Sequence, residues 1–357
     1  MQHDPRGLGE ALIGDGRSLI AFCGVCLGLA GLFATFQSMT GHFLPHDVAY
    51  LKMQPEELCG INECRIVHFM IHDRISFGGA LVGIAVLYLW LAEFPLRHSK
   101  QWAWWTLVVS GLAGFGSFLT YLGYGYLDTW HGAATLMLLP CFSLGLWMQR
   151  PKRDVLVRQK WSSVFLPARG LTWRSQAGLG RIFLLISACG MIGAGLTIQF
   201  VGMTNVFVPT DLTFMGIDRQ QLNAINPRLI PLIAHDRAGF GGAVTTAGML
   251  TLASVWFGQP SRALWQTLAV GGFAGWSTAV LVHPAIGYTD PIHLAPAVIG
   301  AALFLVGLLL ARRKMFLNDG SDESLGTVRI QNGSMSRNYR RSRNWGTTCF
   351  RSHLCDA

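Results

Sequence analysis

The sequence predicts an all-α integral membrane protein, with eight transmembrane helices in two tandem four-helix bundles related by an axis along the membrane normal. Three observations carry this reading. The composition is too apolar and too weakly charged for a water-facing surface. Eight stretches are long enough to cross a bilayer. Three residue patterns recur at a nearly constant offset.

Of 357 residues, 51% are hydrophobic and 13% are charged, the latter roughly half the share in soluble domains. The mean hydropathy is +0.37. This excludes a disordered chain, a collagen and a small disulfide scaffold. The 42 glycines suit close helix packing in lipid.

A helix needs about 20 apolar residues to cross the hydrocarbon core. Such stretches lie at 18–41, 66–94, 102–122, 129–149, 179–203, 229–256, 263–283 and 291–312. The first lacks a small-residue cleavage site and seven more follow it, so it does not read as a cleaved signal. A β-barrel would show short alternating segments instead. The expected organisation is an N-terminal segment 1–17, a first four-helix half 18–149 and a basic linker 150–178. A second half 179–312 and a polar tail 313–357 follow, and the tail is expected to be disordered.

Lysines and arginines set the sidedness. The connections after spans 2, 4 and 6 hold ten of them: Arg97, Lys100, Arg150, Lys152, Arg153, Arg158, Lys160, Arg169, Arg174 and Arg262. The other side holds four, Lys52, Arg65, Arg219 and Arg228. The expectation is a multi-pass protein of the cell inner (cytoplasmic) membrane with both termini cytoplasmic. Much of the +9 net charge records that topology, and the tail adds Arg337, Arg340, Arg341, Arg343 and Arg351. No aromatic-interleaved basic motif accompanies them, so no nucleic-acid partner is expected.

The repeats order the rest. Phe43-Leu-Pro45-His-Asp47 recurs as Phe207-Val-Pro209-Thr-Asp211, an offset of 164. His72-Asp73-Arg74 followed by Phe77-Gly78-Gly79 recurs as His235-Asp236-Arg237 and Phe240-Gly241-Gly242, an offset of 163. Gly125-Tyr126-x-Asp128-x-x-His131 recurs as Gly287-Tyr288-x-Asp290-x-x-His293, an offset of 162. With four spans per half, both copies keep one orientation.

Each half thus keeps one histidine near the start of its second helix and one at the start of its fourth. His72, His131, His235 and His293 therefore lie at similar depths near the non-cytoplasmic face. A single intramembrane histidine is more often a satisfied core residue, but a matched pair kept twice points to function. Two neutral imidazoles on facing helices can hold a haem iron axially. Gly78, Gly79, Gly241, Gly242, Gly123 and Gly125 are placed to give a flat macrocycle room. Zinc and copper carry less weight, because no thiolate or further carboxylate recurs with the histidines. Arg74 and Arg237 could pair with a haem propionate or act as snorkelling anchors. Asp73 and Asp236 could orient a histidine or cap a helix start.

Two histidines within the spans have no counterpart. His68 precedes His72 by one helical turn, and His283 stands opposite Tyr121. Each is either a functional asymmetry or an interface residue. Cys59 and Cys64 fall in the first outer loop at a spacing that permits a disulfide closing a tight turn, with a structural or an electron-relay role. Cys23, Cys26, Cys141 and Cys189 read as small packing residues in spans, and Cys349 and Cys355 as reduced thiols in the tail. The loop acids Asp47, Glu56, Glu57 and Glu63 read as solvated.

Over residues 18–312 the chain resembles haem A synthase, the membrane enzyme that oxidises a methyl group of haem O. The resemblance rests on the eight spans, on His72, His131, His235 and His293 in helices 2, 4, 6 and 8, on the His293-Leu-x-x-Ala297 start of helix 8 and on the Cys59/Cys64 loop pair. It implies a b-type haem held by His235 and His293, and the haem O substrate, or a second haem, at His72 and His131. The family's glutamate before the first helix-2 histidine is missing here, and an Asp turns His-Arg into His-Asp-Arg in both halves. His68, Glu63 and Asp73 are the candidates for that catalytic role. Haem, a quinol or protein electron donor, the bilayer and a further copy of the chain are the expected partners. The alternatives are a di-haem b-type electron-transfer subunit and a haem-free, transporter-like protein.

Overall fold

The computed structural model describes residues 13–119, 126, 129–151, 167–168 and 173–317. Residues 1–12, most of the basic linker and the tail after Leu317, with its Cys349 and Cys355, lie outside the described residues, as do Tyr121, Gly123, Gly125 and Asp128. Each long apolar stretch forms a helix, and no strand occurs among the described residues.

The helices in chain order are α1 (Arg17–Met39), α2 (Pro45–Leu51), α3 (Pro55–Cys59), α4 (Arg65–Glu93), α5 (Gln101–Leu119), α6 (Thr129–Met148), α7 (Gln176–Met203), α8 (Pro209–Met215), α9 (Arg219–Ile225), α10 (Leu229–Phe257), α11 (Arg262–Ile286) and α12 (Pro291–Leu317). Eight of them, α1, α4, α5, α6, α7, α10, α11 and α12, are long and apolar enough to cross a membrane. The chain reads as a multi-pass membrane protein.

Local chemistry sets the helix starts. Ser175 and Ser261 accept the backbone N–H groups of Gly178 and Leu264, and Asp290 accepts that of His293, so each satisfies a donor the first turn leaves free. Prolines open α2, α3, α8 and α12, where a missing N–H costs nothing. Helix α7 begins at Gln176, earlier than the hydropathy alone suggests, because Ser175 caps it. Helix α12 runs past residue 312 because Arg312 lies over the Trp265 and Phe316 rings, which lets a cation extend an apolar helix.

Burial separates the eight into two kinds. In α4 and α10, 72% and 67% of the most apolar window is buried, against 17–33% in the other six. These two are the central helices, and they pack on each other. Helix α4 also packs on α1 and α11, and α10 on α7 and α5. A helix from the second half of the chain thus seals the central helix of the first, and a helix from the first half seals that of the second. The eight interleave instead of segregating by sequence half.

Small residues make these contacts possible. A Cβ on Gly78 would lie 2.6 Å from the Gly31 carbonyl oxygen, and one on Gly79 2.7 Å from that of Ala274. A Cβ on Gly241 would lie 2.5 Å from the Gln199 nitrogen, and one on Gly242 2.1 Å from the Ser117 Oγ. Gly78, Gly79, Gly241 and Gly242, expected to give a macrocycle room, are surfaces on which helices touch, as is usual where lipid offers no hydrophobic drive between helices.

The short helices α2, α3, α8 and α9 gather at one end. Their Leu51, Leu58, Met215 and Leu222 pack on Phe69, Leu229 and Ile233 in a second apolar core. The loops also interlock through backbone acceptors: Asn62 Nδ2 donates to the Met215 oxygen at 2.5 Å and Asn226 Nδ2 to that of Leu51 at 2.8 Å, while Arg228 donates to that of Tyr50. Cys59 and Cys64 are disulfide-bonded beside this junction. The result is one cap over the ends of α4 and α10.

Gly241→Ala is expected to force two helix backbones apart and cost about 1–3 kcal/mol. Gly193→Ala, where no atom lies within 4 Å, should be neutral or slightly stabilising. Thermal unfolding of the two detergent-solubilised variants checks this, and equal midpoints would refute the packing argument.

Candidate functional site

A charge inside an apolar bundle must find a partner, and beneath the cap two arginines and four aspartates do so reciprocally. Arg74 on α4 donates through Nη1 to Asp47 of α2 at 2.7 Å and through Nε to Asp236 of α10 at 2.8 Å. Arg237 on α10 pairs through Nη1 with Asp211 of α8 at 2.7 Å and through Nε with Asp73 of α4 at 3.2 Å. Each central helix therefore gives an arginine to the other's aspartate. The Tyr126 and Tyr288 hydroxyls donate to Asp47 and Asp211 at 2.7 and 2.9 Å.

Asp47 is only 2% exposed, so its reading as a solvated loop acid is corrected. Burial pushes its carboxyl up, but the Arg74 guanidinium, the Tyr126 hydroxyl and His46 more than offset this and hold it below the usual carboxylate range. Burial pushes the Tyr288 phenol well up, so it remains a donor. Arg74 and Arg237, read in the sequence as propionate partners or snorkelling anchors, are the cations of this network. Each guanidinium already spans two carboxylates, which a desolvated cation requires.

The histidines lie directly below. His72 Nδ1 is 2.9 Å from the Asp73 carboxylate. That contact places the proton on Nδ1 and leaves Nε2 as a ligand nitrogen. Nε2 of His72 lies 3.1 Å from Nε2 of His283 on α11. His293 completes the group, its ring centroid 5.5 Å from that of His72 and 5.2 Å from that of His283. The Tyr288 hydroxyl stands 3.1 Å from His293 Nδ1. One ring nitrogen from each of the three histidines lies within 4.8 Å of the others.

These three rings line a cavity of about 970 Å³ between α4, α7, α10, α11 and α12, walled by Gly83, Met191, Val244, Gly271, Trp276 and Phe304 among others. The volume lies at the upper end of the roughly 300–1,000 Å³ of cofactor and ligand sites.

The second group is a pair. His131 on α6 and His235 on α10 have ring centroids 5.3 Å apart. The Tyr126 ring lies 5.0 Å from His235 and the Phe118 ring 5.4 Å from His131. The half-buried Gly116 and Gly132 face space in which a Cβ would meet no atom within 4 Å.

The sequence therefore found the four repeated histidines, but the partners within each half are not the rings that meet. His72 joins His293 and His131 joins His235, in keeping with α4 packing on α11 as well as α1 and α10 on α5 as well as α7. Of the catalytic candidates, Asp73 reaches the site. Glu63 is 80% exposed and pairs with Arg65 at 2.8 Å, and neither Glu63 nor the half-buried His68 lines the cavity. Sequence reasoning missed His283 as a third member of the group. It also missed the roles of Asp47, Asp211, Tyr126 and Tyr288, although each of those four stands within a recurring pattern. Comparison with protein-family models, curated proteins and solved structures gives no match to this chain.

Arg74→Met leaves Asp47 and Asp236 unneutralised and should cost about 3–5 kcal/mol, and adding Asp236→Leu should recover part of it. Denaturation of the single and double variants measures this, and a double variant no better than the single would count against it. Because the Asp47 carboxyl is depressed, its stabilisation is complete above its unfolded value of about 3.9 and is lost as pH falls through the lower folded value. Thermal midpoints should hold from neutral pH to about 5 and fall below about 4, less steeply in Asp47→Asn. Identical acid limbs in the two proteins would refute this assignment.

Proposed function

We propose that the chain is a haem-binding membrane oxidoreductase on the plan of haem A synthase, with His131 and His235 holding a b-type haem and the cavity below His72 and His293 receiving a lipophilic substrate of the haem O class. The observation that carries the proposal is the meeting of carboxylate-supported histidines at the head of an apolar cavity of cofactor size.

The donor set suits the haem. His131 on α6 and His235 on α10 bring two imidazoles together, the ligand type of bis-histidine sites. A bound b-type haem supplies one-electron transfer. The chain's own residues do the rest. Asp73 orients His72 towards the cavity, Arg74 and Arg237 fix the spacing of α4 and α10, and the cap of α2, α3, α8 and α9 excludes water from the histidine end. Electrons come from a quinol or a protein donor.

The same reading takes the two halves, 18–149 and 179–312, as copies of one four-helix unit. The matching Asp47–Arg74–Tyr126 and Asp211–Arg237–Tyr288 sets support it. The lysine and arginine excess supports a reading with both termini on the cytoplasmic side of the inner membrane.

An absorption spectrum and pigment extract of the purified protein test the proposal. One b-type haem per chain is expected, lost in His235→Ala and His131→Ala and kept in His283→Ala. A folded, haem-free protein would overturn it, and two tightly held haems would replace it with a di-haem electron-transfer subunit.

A further inference from the structure

We propose that His72, His283 and His293 form a mononuclear site for a first-row divalent metal ion, separate from the haem pair, with its open coordination position facing the cavity. The role of that open position rests on the cavity being the substrate chamber, whereas the metal site itself rests on geometry alone.

The three ligand nitrogens lie within 4.8 Å of one another. Metal–imidazole bonds of about 2.0–2.1 Å in a tetrahedral site bring ligand nitrogens to about 3.4 Å apart. The His72–His283 separation of 3.1 Å is already close to that, and small rotations of His293 bring the third nitrogen in. The same contact argues against a haem between His72 and His293, since the His283 ring stands where the macrocycle would have to pass. Imidazoles suit zinc, copper, iron and nickel. Three protein ligands with a fourth position open is the arrangement of a reactive site and not of a closed structural one.

The surroundings are built for a cation. His72 Nδ1 meets Asp73, and His293 Nδ1 meets the Tyr288 hydroxyl, which in turn donates to Asp211. Such partners fix the tautomer and raise the basicity of the coordinating nitrogen. The network overhead holds four carboxylates, Asp47, Asp73, Asp211 and Asp236, against two guanidiniums, Arg74 and Arg237. The His131–His235 pair has no third histidine among the described residues, so the asymmetry of His283 assigns the ion to one group only.

Co²⁺ binding to the full-length, chelator-stripped protein in detergent tests this. One Co²⁺ per chain is expected, with ligand-field absorption of a low-coordinate nitrogen site. In His283→Ala the affinity should fall at least tenfold while the haem spectrum stays unchanged. No Co²⁺ uptake by the unaltered chain, or equal affinity in the variant, would overturn the site. If His283→Ala does not fold, the unaltered protein decides: Cu²⁺ should show three nitrogen ligands by electron paramagnetic resonance and raise the thermal midpoint by mass action. Two nitrogens, or none, would overturn it. A chain that binds Co²⁺ but contains no haem sinks the haem reading and leaves the metal site standing, so the two failures are distinct.

Discussion

The exchange of arginines between α4 and α10 is the constraint on which the rest of the molecule depends. A guanidinium in an apolar bundle is stable only when its countercharges are close and its donors are used. Arg74 and Arg237 meet that condition by reaching across to the neighbouring helix and up into the cap at once. The pairing therefore fixes three relations together: the register of α4 against α10, the seating of α2 and the seating of α8. Asp73 shows the economy of this arrangement, because one carboxylate neutralises Arg237 with one oxygen and orients His72 with the other.

Around that ionic layer the packing follows lipid rules. Between helices in a bilayer the gain comes from close contact, which glycine allows. The Gly-Gly pairs one turn beyond the arginines serve two partners each: Gly78 faces α1 and Gly79 faces α11, while Gly241 faces α7 and Gly242 faces α5. Adjacent residues on a helix point to different neighbours, so a glycine pair lets a central helix be approached from two sides at one level. This is why α4 and α10 are buried to a degree the other six are not.

Much of the architecture was legible in the sequence. The eight spans are visible because lipid leaves no other choice for long apolar stretches, although the start of α7 at Gln176 depends on the Ser175 cap and not on hydropathy. The four repeated histidines stood out because charge-capable residues are rare in such helices. What the sequence could not carry was which helices meet. Hydropathy and periodicity describe a helix against its medium, not against its neighbours, so the pairing of His72 with His293 and of His131 with His235 was invisible. The same limit hid His283, whose only signal was that it lacked a counterpart. Asp47 was misread because a loop acid looks solvated until the cap that buries it is known.

The pairing also sets an order of assembly. When α4 is made, Arg74 already has Asp47 available 27 residues behind it, whereas Asp236 comes 162 residues later. Asp73 waits longer, since Arg237 lies 164 residues ahead. Until α10 is synthesised and inserted, the companion of Asp73 on α4, among the described residues, is its neighbour His72. The first four spans are thus an electrostatically incomplete intermediate, held open for a helix the ribosome has not yet delivered.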